Sequence, residues 1–407
     1  MSNILEPLVN AVFSYGEWIY NTCFKSYDFN FNDYFKCVNL KNNQDQYPKL
    51  IKDYEGVKGR VFLFNIPIGL SKNDFDKHKE GLEAQLKENI EIRLINGFME
   101  IEVLTKKLKE KIDYKLPTRA KESIYIPIGE SIEDKVSIDL RENPHSYIVG
   151  TTGSGKSVCT KGILTSLVNN YSADEVELYL CDLKMVELAL FRNLEHTKKF
   201  VYEVNDTTEV IADLLEETKN RYSLFMDHGV TSIFEYNKIN GIKKLKYQVL
   251  YIEEIVILLE DSKKKAMKLL KQLIAISRAS GCYVFITTQR PSSDIIDNVV
   301  KANINNRIVF KVEDKKNSVI ALDSEEAESL KGSGHGILKV GSNKSEFQSY
   351  FITDTQVKEY TKAYIRKEPI EATNNNSKSK KVINIDGDIE KANRRQILKD
   401  LSFLDNL

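Results

Sequence analysis

Gly150 to Ser157 read GTTGSGKS and satisfy the spacing G-x-x-x-x-G-K-[ST]. Those residue types at that spacing hold phosphate. Glycines at 153 and 155 let backbone N–H groups turn inward around an anion, and a following helix adds the positive end of its dipole. The strand-like SYIVG before the loop and the helical SVCTKGILTSLVNN after it supply the context that makes the match specific. On this reading Gly150, Thr151, Thr152, Gly153, Ser154, Gly155, Lys156, Ser157 and Val158 bind ATP. Lys156 reaches the β- and γ-phosphates, and the Ser157 hydroxyl ligates Mg2+.

A phosphate loop of this kind works with a second, acidic strand. QVLYIEE, residues 248–254, supplies one, with an apolar run leading to carboxylates at its C-terminal end. Open α/β sheets bind ligands at that edge. Adjacent strand residues point to opposite faces, so the two glutamates are given different tasks. Glu253 takes the metal, through water, and Glu254 activates the attacking water. A third strand, in YVFITTQRP, ends in polar residues, and Gln289 at its tip is the candidate sensor of the γ-phosphate.

The elements that must position these residues follow from patterning. From residue 122 to 365, short apolar strands alternate with longer helical stretches, the mark of a parallel α/β sheet. The strands are visible in HSYIVG, VELYLCD, QVLYIEE, YVFITTQ and RIVFKVE. Residues 30–121 form a small α+β domain: a strand in RVFLFNIPIGL, one helix over 71–89 capped by Ser71, and two strands around an Asn96-Gly97 turn. Residues 366–382 are polar and read as a flexible linker, and 383–407 as a short tail helix.

Residues 1–29 form an N-terminal arm, either an amphipathic docking helix or unstructured. Its apolar stretch 4–24 is interrupted by Glu6, Asn10, Glu17 and Asn21, whereas a membrane-spanning helix needs roughly 20 mostly apolar residues. It lacks a basic leader and a cleavage site. No membrane span is expected. The five cysteines are scattered with no C-x-x-C pair, which argues against a disulfide framework or a structural zinc site and fits a cytoplasmic setting.

Lys+Arg and Asp+Glu both total 59, so any nucleic-acid contact must come from local patches rather than net charge. The densest basic stretches are GIKKLK, with Lys243, Lys244 and Lys246, and SKKKAMKLLKQ, with Lys263, Lys264 and Lys265. Each is either a DNA-phosphate contact or a solvated helix face. Lys378, Lys380 and Lys381 in the tail stand under the same two readings.

Taken together, these blocks resemble the FtsK/SpoIIIE family of DNA-translocating ATPases, over about residues 122–340. NPHSYIVGTTGSGKSV is similar to the family's phosphate-loop block, and DLKMVELALFRNLEH to its D-P-K-M-V-E-L block. LLEETKNRYSLFMDHGVTSIFEYN, AISRASGCYVFITTQRPSSDIIDNVVKANINNRIVFKV and SVIALDSEEAESLKGSGHGIL follow in family order. The resemblance implies a RecA-like motor core, ATP hydrolysis with Mg2+, and a homohexameric ring around duplex DNA. It also implies that a neighbour's arginine completes each site. Arg278 in SRA matches that arginine, with Arg307 in NNRIVF second. The fold class expected is therefore α/β, a RecA-like P-loop core with a mainly parallel central sheet, preceded by a small α+β domain.

The chain departs from the family pattern in three places. Glu253 stands where the family has aspartate, and Leu183 interrupts D-P-K. The membrane helices and DNA-reading winged helix of the large bacterial members have no counterpart, so septum anchoring and winged-helix recognition are not carried over. FNIPIGLSKNDFDKHKEGLEAQLKEN and the strands after it resemble the domain preceding the motor in plasmid and conjugative FtsK-like proteins. That points to a plasmid, conjugative element or phage, with a membrane channel or relaxosome as partner. The other readings are a coupling ATPase for single-stranded DNA or protein export, and a nucleotide-binding scaffold whose hydrolysis is impaired.

Overall fold

The computed structural model describes residues 29–119, 124–260, 264–295 and 297–368. The arm expected over 1–29 lies outside the described residues except for Phe29. So do the boundary at 121/122, Lys263, the tail helix and all of the linker past Glu368.

Helix α1 (Phe31–Cys37) opens a small layered unit with strands β1 (Leu50–Glu55) and β2 (Arg60–Phe64), helices α2 (Lys72–Asp76) and α3 (Lys79–Leu86), and strands β3 (Ile90–Ile95) and β4 (Phe98–Val103). The strands form an antiparallel sheet in the order β1-β2-β4-β3. Its core is aromatic: Phe31, Phe35, Phe62, Phe64 and Phe75 pack together with Leu82, Met99 and Ile101. The turn at Asn96-Gly97 joins β3 to β4 with both residues at positive φ, as a tight hairpin needs. The single helix expected over 71–89 is instead two short ones. Asp74 turns back to Ser71 and Lys77, and Asp76 pairs with Lys72. Those bonds cap and brace the first short helix, which ends at Asp76 before the second begins at Lys79.

The second sheet contains β5 (Ile112–Asp113), β6 (Tyr125–Glu130), β7 (Lys135–Asp139), β8 (Ser146–Val149), β9 (Val176–Asp182), β10 (Thr197–Val201), β11 (Tyr247–Glu253), β12 (Cys282–Thr288), β13 (Asn306–Phe310), β14 (His335–Val340) and β15 (Asn343–Phe351). Its order is β10-β9-β11-β12-β8-β13-β14-β15-β6-β7, with β5 beside β15. From β10 to β13 every neighbouring pair is parallel. From β13 to β7 the pairs are antiparallel. The apolar runs that patterning finds are β8, β9, β11, β12 and β13. The outer strands escape it because β10 and β15 interleave charged residues with apolar ones.

Helices cover both faces. On one side α4 (Lys156–Asn170) packs Ile163, Leu164 and Leu167 against Ile148, Leu180, Val249 and Phe285. On the other, α5 (Val204–Asp227) and α6 (Lys265–Ile276) pack Val210, Leu214, Met267 and Leu270 against Tyr147, Leu250, Ile252 and Ile286. Alternate residues of β11 and β12 thus enter opposite cores, so both faces of these strands are apolar and buried. Among the described residues no helix is long and apolar enough to cross a membrane.

Candidate nucleotide site

The sheet order decides the site. β8 leads into the glycine loop, β11 ends in Glu253, and β12 lies between them. Parallel pairing in near register brings all three C-terminal ends to one edge: Val149 lies beside Thr288, and Ile252 beside Ile286.

At that edge Gly153 and Gly155 have φ of 75° and 112°, values that favour glycine. Lys156 begins α4 directly after Gly155. A cavity of about 300 Å3 opens over the helix end. Thr151, Thr152, Gly153, Gly155, Lys156, Ser157 and Val158 all line it. Gly150 and Ser154 lie behind: a Cβ at Gly150 would meet the Ser154 hydroxyl at 2.3 Å, and Ser154 is buried.

The opposite wall is a second glycine loop that sequence spacing did not assign. The Gly334 N–H donates to the Ser154 carbonyl at 2.8 Å, and the Ser333 N–H to the Gly153 carbonyl at 3.3 Å. Ser333 and Gly334 line the cavity together with Ser349, Tyr350, Phe351, Gln289 and Glu187. A Cβ on Gly155 would stand 2.5 Å from Gly334. That approach requires glycine at 155, whereas Gly334, at φ 93°, requires it because a Cβ there would meet Gln348 Nε2 at 2.7 Å. The repeat G-x-G in KGSGHG was the available signal.

The acidic strand is locked by hydrogen bonds. The Lys156 ammonium binds Glu253 Oε1, and both residues are buried. The Thr287 hydroxyl donates to Glu253 Oε2 at 2.6 Å. Burial pushes the Glu253 carboxyl up, and the Lys156 ammonium and Thr287 hydroxyl oppose it without cancelling it. Glu254 follows the strand at φ 57°, a left-handed conformation rare outside glycine. Its Oε1 accepts from the Thr288 hydroxyl at 2.7 Å and the Gln289 N–H at 3.2 Å, and its Oε2 from Lys184 at 2.6 Å. Burial raises the Glu254 carboxyl, but Lys184, Thr288 and Gln289 together outweigh it and hold it below the usual range.

The two glutamates are therefore split between the two threonines at the tip of β12, each with its own lysine. Neither borders the cavity, whereas Gln289 does. The Ser157 hydroxyl borders it too, donating to Glu187 Oε1 at 2.9 Å. Ser157 and Glu187 are hard oxygen donors at the phosphate end, with Glu253 behind Lys156. That suits a Mg2+ held mainly by phosphates and water with few protein ligands. Among the described residues there is no cluster of three or more metal-binding side chains.

The remaining candidates lie elsewhere. Arg278 is exposed, just before β12 begins at Cys282. It sits at the opposite end of the parallel strands from the glycine loop, about 20 Å away at the usual rise of a seven-residue strand. It makes no ion pair among the described residues. Arg307 is buried and its guanidinium is committed to Asp323 at 2.5 Å, which also binds Lys301 and Lys339.

The basic stretches do not converge. Lys243 and Lys244 are exposed ahead of β11, at the Arg278 edge. Lys264 and Lys265 are exposed beyond β11, where α6 starts at the glycine-loop edge. Lys246 is tied to the Ala173 carbonyl at 2.9 Å and paired with Asp174 and Glu177.

The family profile described as FtsK/SpoIIIE family matches residues 107–276. The DNA translocase SpoIIIE of Bacillus subtilis is 34% identical over 269 residues, covering 63% of this chain and 34% of that protein. The DNA translocase FtsK of Caldanaerobacter subterraneus is 36% identical over 254 residues, covering 61% and 36%. This chain thus spans about a third of the length of these curated relatives. The solved monomer form of the pCW3 conjugation coupling protein TcpA with ATPγS shares the fold, with a TM-score of 0.59 at 24% identity, over 81% of this chain and 97% of that one. The glycine loop and the acidic strand both lie inside the span that matches the FtsK/SpoIIIE family profile.

Proposed function

We propose that this chain is an ATP-driven DNA translocase that hydrolyses ATP with Mg2+. The observation that carries the reading is the buried Lys156–Glu253 pair, which joins the glycine loop to the acidic strand across β12, with Lys156 lining the cavity. The family domain supports it, since the curated relatives are named DNA translocases. Mg2+ held at Ser157 would neutralise phosphate charge when nucleotide is bound. Lys156 leaves Glu253 for the outer phosphates, Gln289 meets the γ-phosphate, and Glu254 takes the proton of the attacking water.

The finer reading is a homohexameric ring that pumps duplex DNA for a plasmid, conjugative element or phage. Arg278 supports the ring, because it lies too far from its own glycine loop to serve it and is exposed for a neighbour's. DNA contact in such a ring is mainly to phosphate, and so tolerant of sequence and sensitive to salt. The likeness to TcpA, a conjugation coupling protein, favours a transfer role with channel or relaxosome partners.

The test is phosphate release from Mg-ATP with and without duplex DNA. Wild type is expected to exceed a Lys156→Ala control, and duplex DNA to raise its rate. Release equal to the control overturns the motor and leaves the nucleotide-binding scaffold, a reading favoured by the absence of Glu254 from the residues lining the cavity. Triplex displacement on duplex and on single-stranded tracks then separates the duplex pump from a single-strand or protein-export ATPase.

A further inference from the structure

The hydrolysis reading leaves the turn Asp182-Leu183-Lys184 without a task. Asp182 ends β9, fully buried, in register with Glu253 on the neighbouring strand. One of its carboxylate oxygens accepts the Leu188 N–H at 2.9 Å. That bond folds residues 183–188 back onto the strand end. Met185 at the crown has φ 59°, and Met185 and Val186 are exposed.

The charged residues on either side of that crown turn inward. The Glu187 carboxylate accepts the Ser157 hydroxyl, and the Lys184 ammonium reaches Glu254. One short loop thus grips both the hydroxyl at the phosphate end of the cavity and the carboxylate beyond β11. Glu254 has reason to need the grip. Its side chain is 5% exposed, and a buried carboxylate without a countercharge is costly. Thr288 and the Gln289 N–H are neutral donors, and Lys184 makes its one ion pair among the described residues. Lys184 itself is 33% exposed, so it can follow Glu254 through a change of rotamer without being dragged from a core.

We propose that Lys184 is a positioning residue for Glu254, holding its carboxylate beside Gln289, and that the 182–188 loop ties that position to Ser157 through Glu187. This rests on the ATP-hydrolysis reading above. The ammonium touches neither the nucleotide nor the attacking water. It acts through Glu254, whose aim decides whether a water can be deprotonated in line. Without Lys184 the two neutral donors remain, and the carboxylate is free to adopt other rotamers.

The experiment compares full-length wild type, Lys184→Ala and Lys184→Arg in steady-state hydrolysis, in binding of a non-hydrolysable ATP analogue, and in thermal denaturation. Misplacing a reacting group by about 1 Å costs about 100-fold, so Lys184→Ala is expected to lower kcat by about 10- to 100-fold. KM and analogue affinity should stay within about twofold, since the lost interaction matters only in the reacting state. Lys184→Arg, which keeps the charge, should recover much of the rate. A kcat for Lys184→Ala within about twofold of wild type overturns the proposal. So does a joint fall of kcat and analogue affinity that arginine does not rescue, which would mark a merely structural residue. A kcat above wild type overturns it too, because the ion pair would then be a brake. If wild type itself releases no more phosphate than Lys156→Ala, the hydrolysis reading falls and this one with it. Active wild type with an unaffected Lys184→Ala removes this one alone.

Discussion

The Lys156 ammonium rests on the Glu253 carboxylate, both buried, one at the start of α4 and the other at the end of β11. Each compensates the other's buried charge. If Lys156 takes the outer phosphates as proposed, nucleotide exchanges this buried ion pair for a lysine–phosphate contact. Breaking such a pair by removing one member costs about 3–5 kcal/mol.

Glu254→Gln is expected to abolish turnover while leaving nucleotide affinity near wild type. Loss of a general base costs about 10²–10⁴ in rate. Glu253→Asp should retain hydrolysis, since a water-mediated metal contact absorbs the loss of one methylene. Single-turnover phosphate release beside fluorescent-nucleotide binding reads both. Turnover in Glu254→Gln equal to wild type would sink the division of roles.

Arg278→Ala and Lys156→Ala should each be inactive alone and regain activity when mixed. In a mixed ring, some interfaces join an intact Lys156 from one subunit to an intact Arg278 from the next. An arginine supplied in trans is worth about 10³–10⁵ in rate. Co-assembled subunits that show no recovery would place Arg278 outside the catalytic interface. Arg307→Ala, which frees Asp323 from one of its three cations, should lower the melting temperature instead.

Gly155→Ala tests the contact between the two glycine loops. The new Cβ would meet Gly334 at 2.5 Å from a backbone at φ 112°. Such strain costs about 1–3 kcal/mol, so nucleotide affinity should fall by about tenfold or more in protein whose circular dichroism remains native. Unchanged affinity would mean that the second loop does not shape the site.

His145 makes stability depend on pH. It is buried at the start of β8, and its Nδ1 accepts the Val284 N–H at 3.1 Å. Burial pushes the imidazole down to about 3, with a backbone hydrogen bond at Ile274 raising it in part and the nearby Arg278 charge lowering it further. The folded state keeps it neutral, whereas the unfolded chain takes up a proton below its ordinary value. The contribution is therefore present above about pH 6.5 and lost as pH falls toward 3, at up to about 1.4 kcal/mol per unit. Denaturant melts should show wild type losing roughly 1.6 kcal/mol more than His145→Gln between pH 6.5 and 5. Parallel losses would reject the assignment.

Much of the site is local in the chain and so was legible. The glycine loop is eight consecutive residues, and its chemistry resides in backbone N–H groups, φ values and one lysine that spacing alone specifies. The five inner strands announce themselves because both of their faces are apolar. The two adjacent glutamates stand out because charge at the end of an apolar run is costly without a partner.

Partnership was not legible. That Lys156 takes Glu253 while Lys184 takes Glu254 depends on the order β9-β11-β12-β8, in which β8 pairs with a strand more than a hundred residues further along the chain. The cavity wall at Ser333, Gly334 and Ser349–Phe351 comes from the antiparallel half of the sheet, where only the G-x-G of KGSGHG gives a local signal and β15 carries a mixed pattern. The same geometry sends Arg278 to the far edge and divides the lysine stretches between two ends. A sequence fixes which groups a chain possesses and its local turns. Which groups meet is decided by the sheet, because register and strand order bring distant residues within the 3 Å over which hydrogen bonds act.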